Sequence, residues 1–498
     1  MSLAAPFAVR SRSGEMSDAR ISGLIIALIA VLTFALSIYR ASVLRDGDTW
    51  SHLVIGEWTM AHGAVPRVDI FSHSMPGAPW TAHEWLAEVL LALAFRGGSW
   101  SGVVLLTGLA AASAALILGL RVARFLDGAA LGATVLLGVG LWTPSLLARP
   151  HILALPFAAA WVAGLLESRD RGRTPSLWLS LLMIVWSNLH GGFMFGLALV
   201  GPFALEALLE APRGERVATL RGWLVFAAAA TAASLVNPYG FEALLFPFRL
   251  MGVENLSRIS EWQAEDFSHV GPLEIALLAL LVFALTRPMA VPPVRTALVA
   301  ALLAMALQHA RHAQLLGLIA PMLLAKPMAK AIGAAPSGDA WRRAARAALA
   351  VSCAGVVGLG FLRLAEPVER VDGTAAPISA LKAVPPDLKQ KPVLNDYSFG
   401  GYLIWSHVRP FIDGRADMYG GAMLGLYRKL SAGDPATVEE TLTRYHIAWT
   451  IFAPDAEIVA TLDREPGWRR IYADPFAVVH ARDDAEAGPI GLRGEQKR

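Results

Sequence analysis

The chain has 498 residues, of which 55% are hydrophobic and only 17% charged, and its mean hydropathy is +0.49. A soluble domain averages about 25% charged residues, so this composition excludes an ordinary soluble protein and indicates a polytopic membrane protein. A net charge of +3 on this length argues against a nucleic-acid partner, and a single cysteine, Cys353, excludes intrachain disulfides and cysteine-cluster metal sites.

Residues 1–20 carry Arg10, Arg12 and Arg20 and read as a disordered cytoplasmic tail. The apolar run from Ile21 to Leu44 is too long for a signal-peptide core and reads as a retained first helix. Residues 45–99 then form a long outer loop. Within it, Trp50 to Trp58 has apolar residues at helical spacing, and the run from His83 to Phe95 starts at tryptophan-rich polar sequence and is short for a span. Both read as amphipathic helices lying along the outer surface. Gly63, Pro66, Pro76, Gly77 and Pro79 punctuate the turns between them.

Further spans are expected at 100–120, 128–147, 151–167, 176–189, 192–209, 219–236, 272–286, 290–307, 312–325 and 344–362, about eleven in all. Several fall short of the ~20 residues a direct crossing needs. Pro150 and Gly191-Gly192 are expected to break helices there, which is tolerated where helices line a cavity. Arg121 and Arg124, Arg169 to Arg173, Arg213 to Arg221, Arg287 and Arg295, and Lys326 to Arg346 fall on alternate connections. The positive-inside rule puts these in the cytoplasm. The opposite face then holds His52, His62, His73, His83, His151, His190, His269, His309 and His312, and the C-terminal segment lies outside.

From about residue 366, Pro385-Pro386, charged residues and short alternating runs replace the apolar stretches. Strands are expected at Lys391 to Asp396, Phe411 to Arg415, Ile447 to Phe452 and Phe476 to His480, with a helix at Thr437 to Arg444. The expected fold is therefore a membrane all-α domain (21–365) of about eleven transmembrane helices with outer-face amphipathic helices. A small extracytoplasmic α/β domain follows it (366–498).

Three groups of residues bear chemistry. Asp46 and Asp48, two residues apart beside Arg45, can accept a proton from a hydroxyl or bind a divalent metal; as a plain alternative they terminate the first span. His83-Glu84 opens an amphipathic helix, where an acidic side chain suits the helix dipole. Arg149-Pro-His151, Asn188-Leu-His190 and Arg311-His312 occupy tight junctions between spans on one face. Arg with His suits a phosphate or diphosphate, whereas snorkelling to the interface explains any one of them taken singly. No His-x-x-x-His or Glu-x-x-His pattern stands out as a metal site, though His309 and His312 are three residues apart. No phosphate-cradling glycine loop or nucleotide fold is present in the pattern, which disfavours a nucleotide-driven cytosolic mechanism.

On Asp46 and Asp48 after the first span, and on the loop Trp50-Ser-His-Leu, Gly63-Ala-Val-Pro66, Gly77-Ala-Pro-Trp80 and His83-Glu-Trp-Leu86, the chain resembles the polytopic C-type (GT-C) glycosyltransferases. It is similar to the bacterial relatives of protein mannosyltransferases and lipid A aminoarabinose transferases. The resemblance implies an integral-membrane, inverting glycosyltransferase of the bacterial inner membrane, with a polyprenyl-phosphate-linked sugar as donor and a lipid, glycan or protein as acceptor. It implies a catalytic base at Asp46 or Asp48, with Asp48 preferred because it heads the following helix. It also implies donor phosphate held by Arg149 and Arg311 with help from His312. His52, His83, Glu84, His151, Asn188 and His190 complete the candidate substrate-binding set. No cofactor is assigned; a divalent metal stays open. The Glu-Lys-Pro-Pro stretch of aminoarabinose-type enzymes is absent, and His83-Glu84 stands in its place. Asn395 to Trp405 and Phe411 to Asp417 also look like a recurring feature of bacterial membrane proteins of this type, with Asp413, Arg415 and Asp417 either binding acceptor sugar or forming a salt-bridged turn. The other classes carried forward are a transporter or flippase-like protein for lipid-linked saccharides and an assembly subunit.

Overall fold

The computed structural model describes residues 12–252, 263–334 and 340–485. Thirteen helices fill the described chain as far as residue 365: α1 (Arg12–Tyr39), α2 (Asp48–His62), α3 (Trp85–Val122), α4 (Gly128–Gly140), α5 (Pro150–Asp170), α6 (Leu181–Leu189), α7 (Phe193–Glu210), α8 (Arg216–Ser234), α9 (Glu242–Met251), α10 (Pro272–Thr286), α11 (Pro293–Gln308), α12 (Ala313–Ala331) and α13 (Ala340–Ala365). Each of the eleven apolar segments expected from the sequence contains an α-helix, though that at 128–147 is α-helical only to Gly140 and goes on through a 3-10 turn at Thr143–Ser145. The first helix starts at Arg12, inside the stretch expected to be a tail, and ends at Tyr39, after which a 3-10 turn covers Ala41–Leu44. Among the described residues six helices are long and apolar enough to cross a membrane, and four apolar helices of 10–17 residues accompany them. The chain is a multi-pass membrane protein.

The chain divides into two compact units. The first comprises the described residues up to 43, 96–247, 263–334 and 340–368. Here α1 runs along α13, and α4 along α12. Gly138 and Gly317 meet face to face, so the α4 and α12 backbones approach to a distance no side chain would allow. Small residues at such crossings let helices pack where burial from water gives no drive. Pro150 opens α5, where its missing N–H does no harm, and His190, in extended conformation, separates α6 from α7.

The ends of these helices differ chemically. At one end Arg169 Nε meets Glu206 at 3.1 Å and Arg295 Nε meets the same carboxylate at 2.8 Å, all three buried. Nearby in sequence, Arg121 pairs with Asp170 at 2.5 Å, and Lys326 reaches the other oxygen of Asp170 at 3.2 Å. These residues come from α3, α5, α7, α11 and α12, and five of the six come from the connections expected to face the cytoplasm.

The second unit joins residues 44–95 and 248–252 to the C-terminal segment from 369. It adds helices α14 (Ile378–Ala383), α15 (Pro386–Lys389), α16 (Gly400–Trp405), α17 (Ala416–Ser431), α18 (Pro435–Arg444) and α19 (Glu457–Leu462). Strands β1 (Val393–Asn395), β2 (Trp449–Phe452), β3 (Trp468–Ala473) and β4 (Val478–Arg482) form one sheet in the order β1-β2-β4-β3. The β1–β2 pair is parallel and the other two are antiparallel, with Trp449 opposite both Val393 and Ala481. β2 is buried along its whole length, as its run of apolar residues requires in the middle of a covered sheet.

One expectation changes here. Phe411 to Arg415 is a loop rather than a strand: Asn395 Oδ1 accepts the Phe411 N–H at 2.7 Å, and Asn395 Nδ2 donates to Ile412 O at 2.8 Å. A side-chain amide thus does for this segment what a ladder partner would have done. The helix α2 buries Trp50, Leu53 and Ile55 inside the unit. Its apolar face packs on α16, with the Trp50 ring 5.0 Å from Tyr402 and 5.4 Å from Trp405, centroid to centroid. The start of α3 closes against α2 at Gly56, which touches the Glu88 backbone. A kink at Gly98 and Ser99 (φ 51°) then separates this first piece of α3 from the long apolar run that follows.

Candidate functional site

The two acidic residues after the first span have different local roles. Asp46 Oδ1 accepts the Asp48 N–H at 2.7 Å, closing a side-chain turn that starts α2. Asp48 is the first residue of α2, and Ser51 Oγ donates back to its carbonyl at 2.9 Å. Its carboxylate lies directly over Gly414 in the loop between α16 and α17.

One turn along α2, His52 Nδ1 pairs with Glu88 Oε1 at 3.1 Å, both buried, which fixes α2 against the start of α3. His83 Nδ1 donates to Thr81 O at 3.3 Å, and its Nε2 stands 3.7 Å from Glu84 Oε1. Burial pushes the His83 imidazole below its usual pKa, partly offset by the Asp417 charge. Asp417 in turn is pushed up to about 6 by burial, against the opposing pull of His83 and Arg415, with Glu84 adding to the rise. His83, Glu84 and Asp417 therefore form one electrostatically coupled group.

Asp413 and Arg415 make the salt-bridged turn. Arg415 Nη2 reaches Asp413 Oδ2 at 2.7 Å, Arg415 Nη1 reaches Asp69 Oδ1 at 2.7 Å, and Tyr419 Oη donates to Asp413 at 2.8 Å. The guanidinium is also flanked by the rings of Trp80 and Phe71, at 4.9 and 5.3 Å. Burial pushes Asp413 up, but the Arg415 charge and hydrogen bonds outweigh it and hold the carboxyl below its usual range. His73 binds Val393 O at 2.8 Å and His62 stacks on Trp58 at 4.1 Å; neither joins this group.

In the first unit two of the three tight junctions meet, and Phe195 links α7 to the third. His151 lies 6.2 Å from His190, ring to ring. Phe195, in the first turn of α7, meets His312 at 5.8 Å, and His309 stands 5.5 Å from His312. Arg149 precedes α5 and Arg311 sits in the 3-10 turn before α12, both partly buried. Asn188 is turned inward: its Nδ2 donates to Ile184 O at 2.6 Å and to Val236 O at 2.8 Å, joining α6 to the end of α8. Among the described residues no three of His, Cys, Asp and Glu converge in an arrangement able to hold a metal ion.

No family model matches the chain, and no curated protein matches it. Solved structures do. The oligosaccharyltransferase AglB from Archaeoglobus fulgidus, solved with an inhibitory peptide and a dolichol-phosphate, is similar over 94% of this chain and 75% of its own, with a TM-score of 0.52 and 11% identity. The apo oligosaccharyltransferase of the same organism covers 89% of this chain and 70% of its own (TM-score 0.50, 12% identity). ArnT from Cupriavidus metallidurans, bound to undecaprenyl phosphate, covers 95% of this chain and 99% of its own (TM-score 0.50, 14% identity). The fold is that of the GT-C membrane glycosyltransferases.

The GT-C likeness extends through both units, whereas the sequence motifs that pointed to it lay mainly in residues 45–86. The sequence reading missed three features of the second unit: Asp69 as partner of Arg415, Gly414 beneath Asp48, and Asp417 beside His83. The Asp-Gly-Arg-Ala-Asp run held a signal for a buried turn there, since a carboxylate, a glycine and a cation in succession suit one better than an exposed strand, but none for the partners Asp69, Asp48 and His83.

Proposed function

We propose that this protein is an integral-membrane glycosyltransferase that moves a sugar from a polyprenyl-phosphate donor to an acceptor on the extracytoplasmic face. The observation that carries the reading is the Asp46-Gly47-Asp48 turn at the end of the first span, in a chain with a GT-C fold along nearly its whole length. Neighbours of that fold have been solved with dolichol-phosphate and undecaprenyl phosphate, so a lipid phosphate suits the Arg149, Arg311 and His312 group. Asp48 takes the proton of the acceptor hydroxyl as its oxygen attacks the anomeric carbon. The bond from that carbon to the phosphate oxygen breaks, and the lipid phosphate leaves with the electron pair. In the first unit, Arg149 and Arg311 are the candidates for binding a lipid phosphate. A single displacement of this kind inverts the anomeric centre. Asp46 shapes the turn that presents Asp48. In the second unit His83 and Glu84 are the candidates for binding the acceptor; in the first unit His151 and His190 are those for binding the donor. Asn188 and His52 hold their helices in place.

The test is complementation of a deletion strain with Asp48→Asn and Asp46→Asn, scoring cell-envelope glycans by mass spectrometry at matched membrane abundance. Loss of one glycan species with Asp48→Asn is the expected result. Wild-type glycans in both variants would remove the base assignment and favour a transporter or an assembly subunit.

A further inference from the structure

Four glycines bring the Asp46-Gly47-Asp48 turn and the C-terminal motif together. A Cβ on Gly47 would meet Ser398 O, one on Gly401 would meet Gly47 O, and one on Gly400 would meet Ile412 O and the Asp413 backbone. Each of these three glycines therefore serves backbone-to-backbone packing. Gly414 is different: the three atoms nearest to its missing Cβ are all in the Asp48 carboxylate. Its φ is outside the left-handed region, so nothing in the backbone calls for glycine there. An alanine would be accommodated by rotation of a short, terminal carboxylate rather than by movement of the main chain.

From this geometry we infer that Gly414 is a positioning residue for Asp48, leaving open the volume that the carboxylate fills. The inference rests on the proposed role of Asp48 as the base. It also explains the build of the Phe411-Ile-Asp-Gly-Arg segment. Asp413 and Arg415 anchor the loop through Asp69 and Tyr419, and the glycine between them is thereby fixed under the carboxylate. A base displaced by about 1 Å loses on the order of 10²-fold in rate.

The experiment is a double-mutant cycle. Gly414→Ala, Asp48→Asn and the pair are expressed in the deletion host, and turnover is read in isolated membranes as the glycan species that depends on this protein. Undecaprenyl phosphate binding to each purified variant is measured by native mass spectrometry. Gly414→Ala is expected to cut turnover tenfold or more, with abundance and undecaprenyl phosphate binding within twofold of wild type. In the Asp48→Asn background the same change is expected to have no further effect, because its target is already gone. It is also expected to shift the acid limb of the pH–rate profile. Gly401→Ala, which meets backbone, is the comparator and is expected to lower abundance instead.

A Gly414→Ala variant with wild-type turnover, or one that scales the whole pH profile without shifting its limb, overturns the positioning role. The pH profile decides the matter even where the Asp48→Asn background is too slow to read. Full turnover in Asp48→Asn itself would instead remove the base reading, and the two failures are thereby told apart.

Discussion

Replacing Arg415 with alanine leaves two carboxylates, Asp69 and Asp413, buried without their cation. Both are fully buried, and the Arg415 side chain is only 7% exposed. Removing one partner of a buried ion pair destabilises by about 3–5 kcal/mol, because the charge left behind has neither water nor a counterion. For a unit of this size that corresponds to a fall in melting temperature of roughly 10 °C. The pH dependence identifies the cause. In the wild type the pKa of Asp413 is held low, so its contribution is present above the ordinary carboxylate range and is lost as pH falls through the lowered value. In Arg415→Ala burial acts unopposed, the carboxyl protonates more readily, and the defect shrinks as pH falls. Melting of the detergent-purified variant, followed by tryptophan fluorescence at pH 5 and pH 8, measures both. A defect of equal size at the two pH values, or a melting temperature within a degree of wild type, would refute the argument.

Three further outcomes are expected. Asp417, pushed up to about 6, stays protonated in the folded state while the unfolded chain ionises near 4, so stability falls as pH rises between these values. Asp417→Asn should therefore melt higher than wild type at pH 7.5 and alike below pH 4, and a pH-independent difference would contradict this. Glu206→Ala leaves Arg169 and Arg295 buried together, and should lower the detergent melting temperature of the protein by an amount similar to Arg415→Ala; a neutral result would show that water reaches them. Arg149→Gln or Arg311→Gln should weaken undecaprenyl phosphate binding about tenfold with the melting temperature unchanged, since each removes one charge-assisted contact. Unaltered binding in both would take them out of the phosphate site.

How much was legible varied along the chain. The eleven apolar segments are strong periodic signals, and α10 occupies the very residues 272–286 expected of it. Tertiary pairing had no such signal. Arg415 and Asp69 are 346 residues apart, and nothing local in either stretch announces the other. The strand expected at Phe411 failed because an apolar residue pair followed by Asp-Gly-Arg looks the same whether the peptide groups are satisfied by a ladder or by the side chain of Asn395. In the sequence Asp48 is preferred over Asp46 only as the head of the following helix. The hydrogen bond from one to the backbone of the other, and the glycine under the second, separate them.

The 346-residue separation also sets a clock. At about 5–20 residues per second, ribosomes take roughly 20–70 s to reach Arg415 after making Asp69. Throughout that interval the loop holding Asp69 and the apolar face of α2 has been made, while α16 and the guanidinium that complete its packing have not. The second unit therefore closes only when its distal half arrives, and residues 44–95 await it with a carboxylate whose cation is still to be made and a hydrophobic face still uncovered.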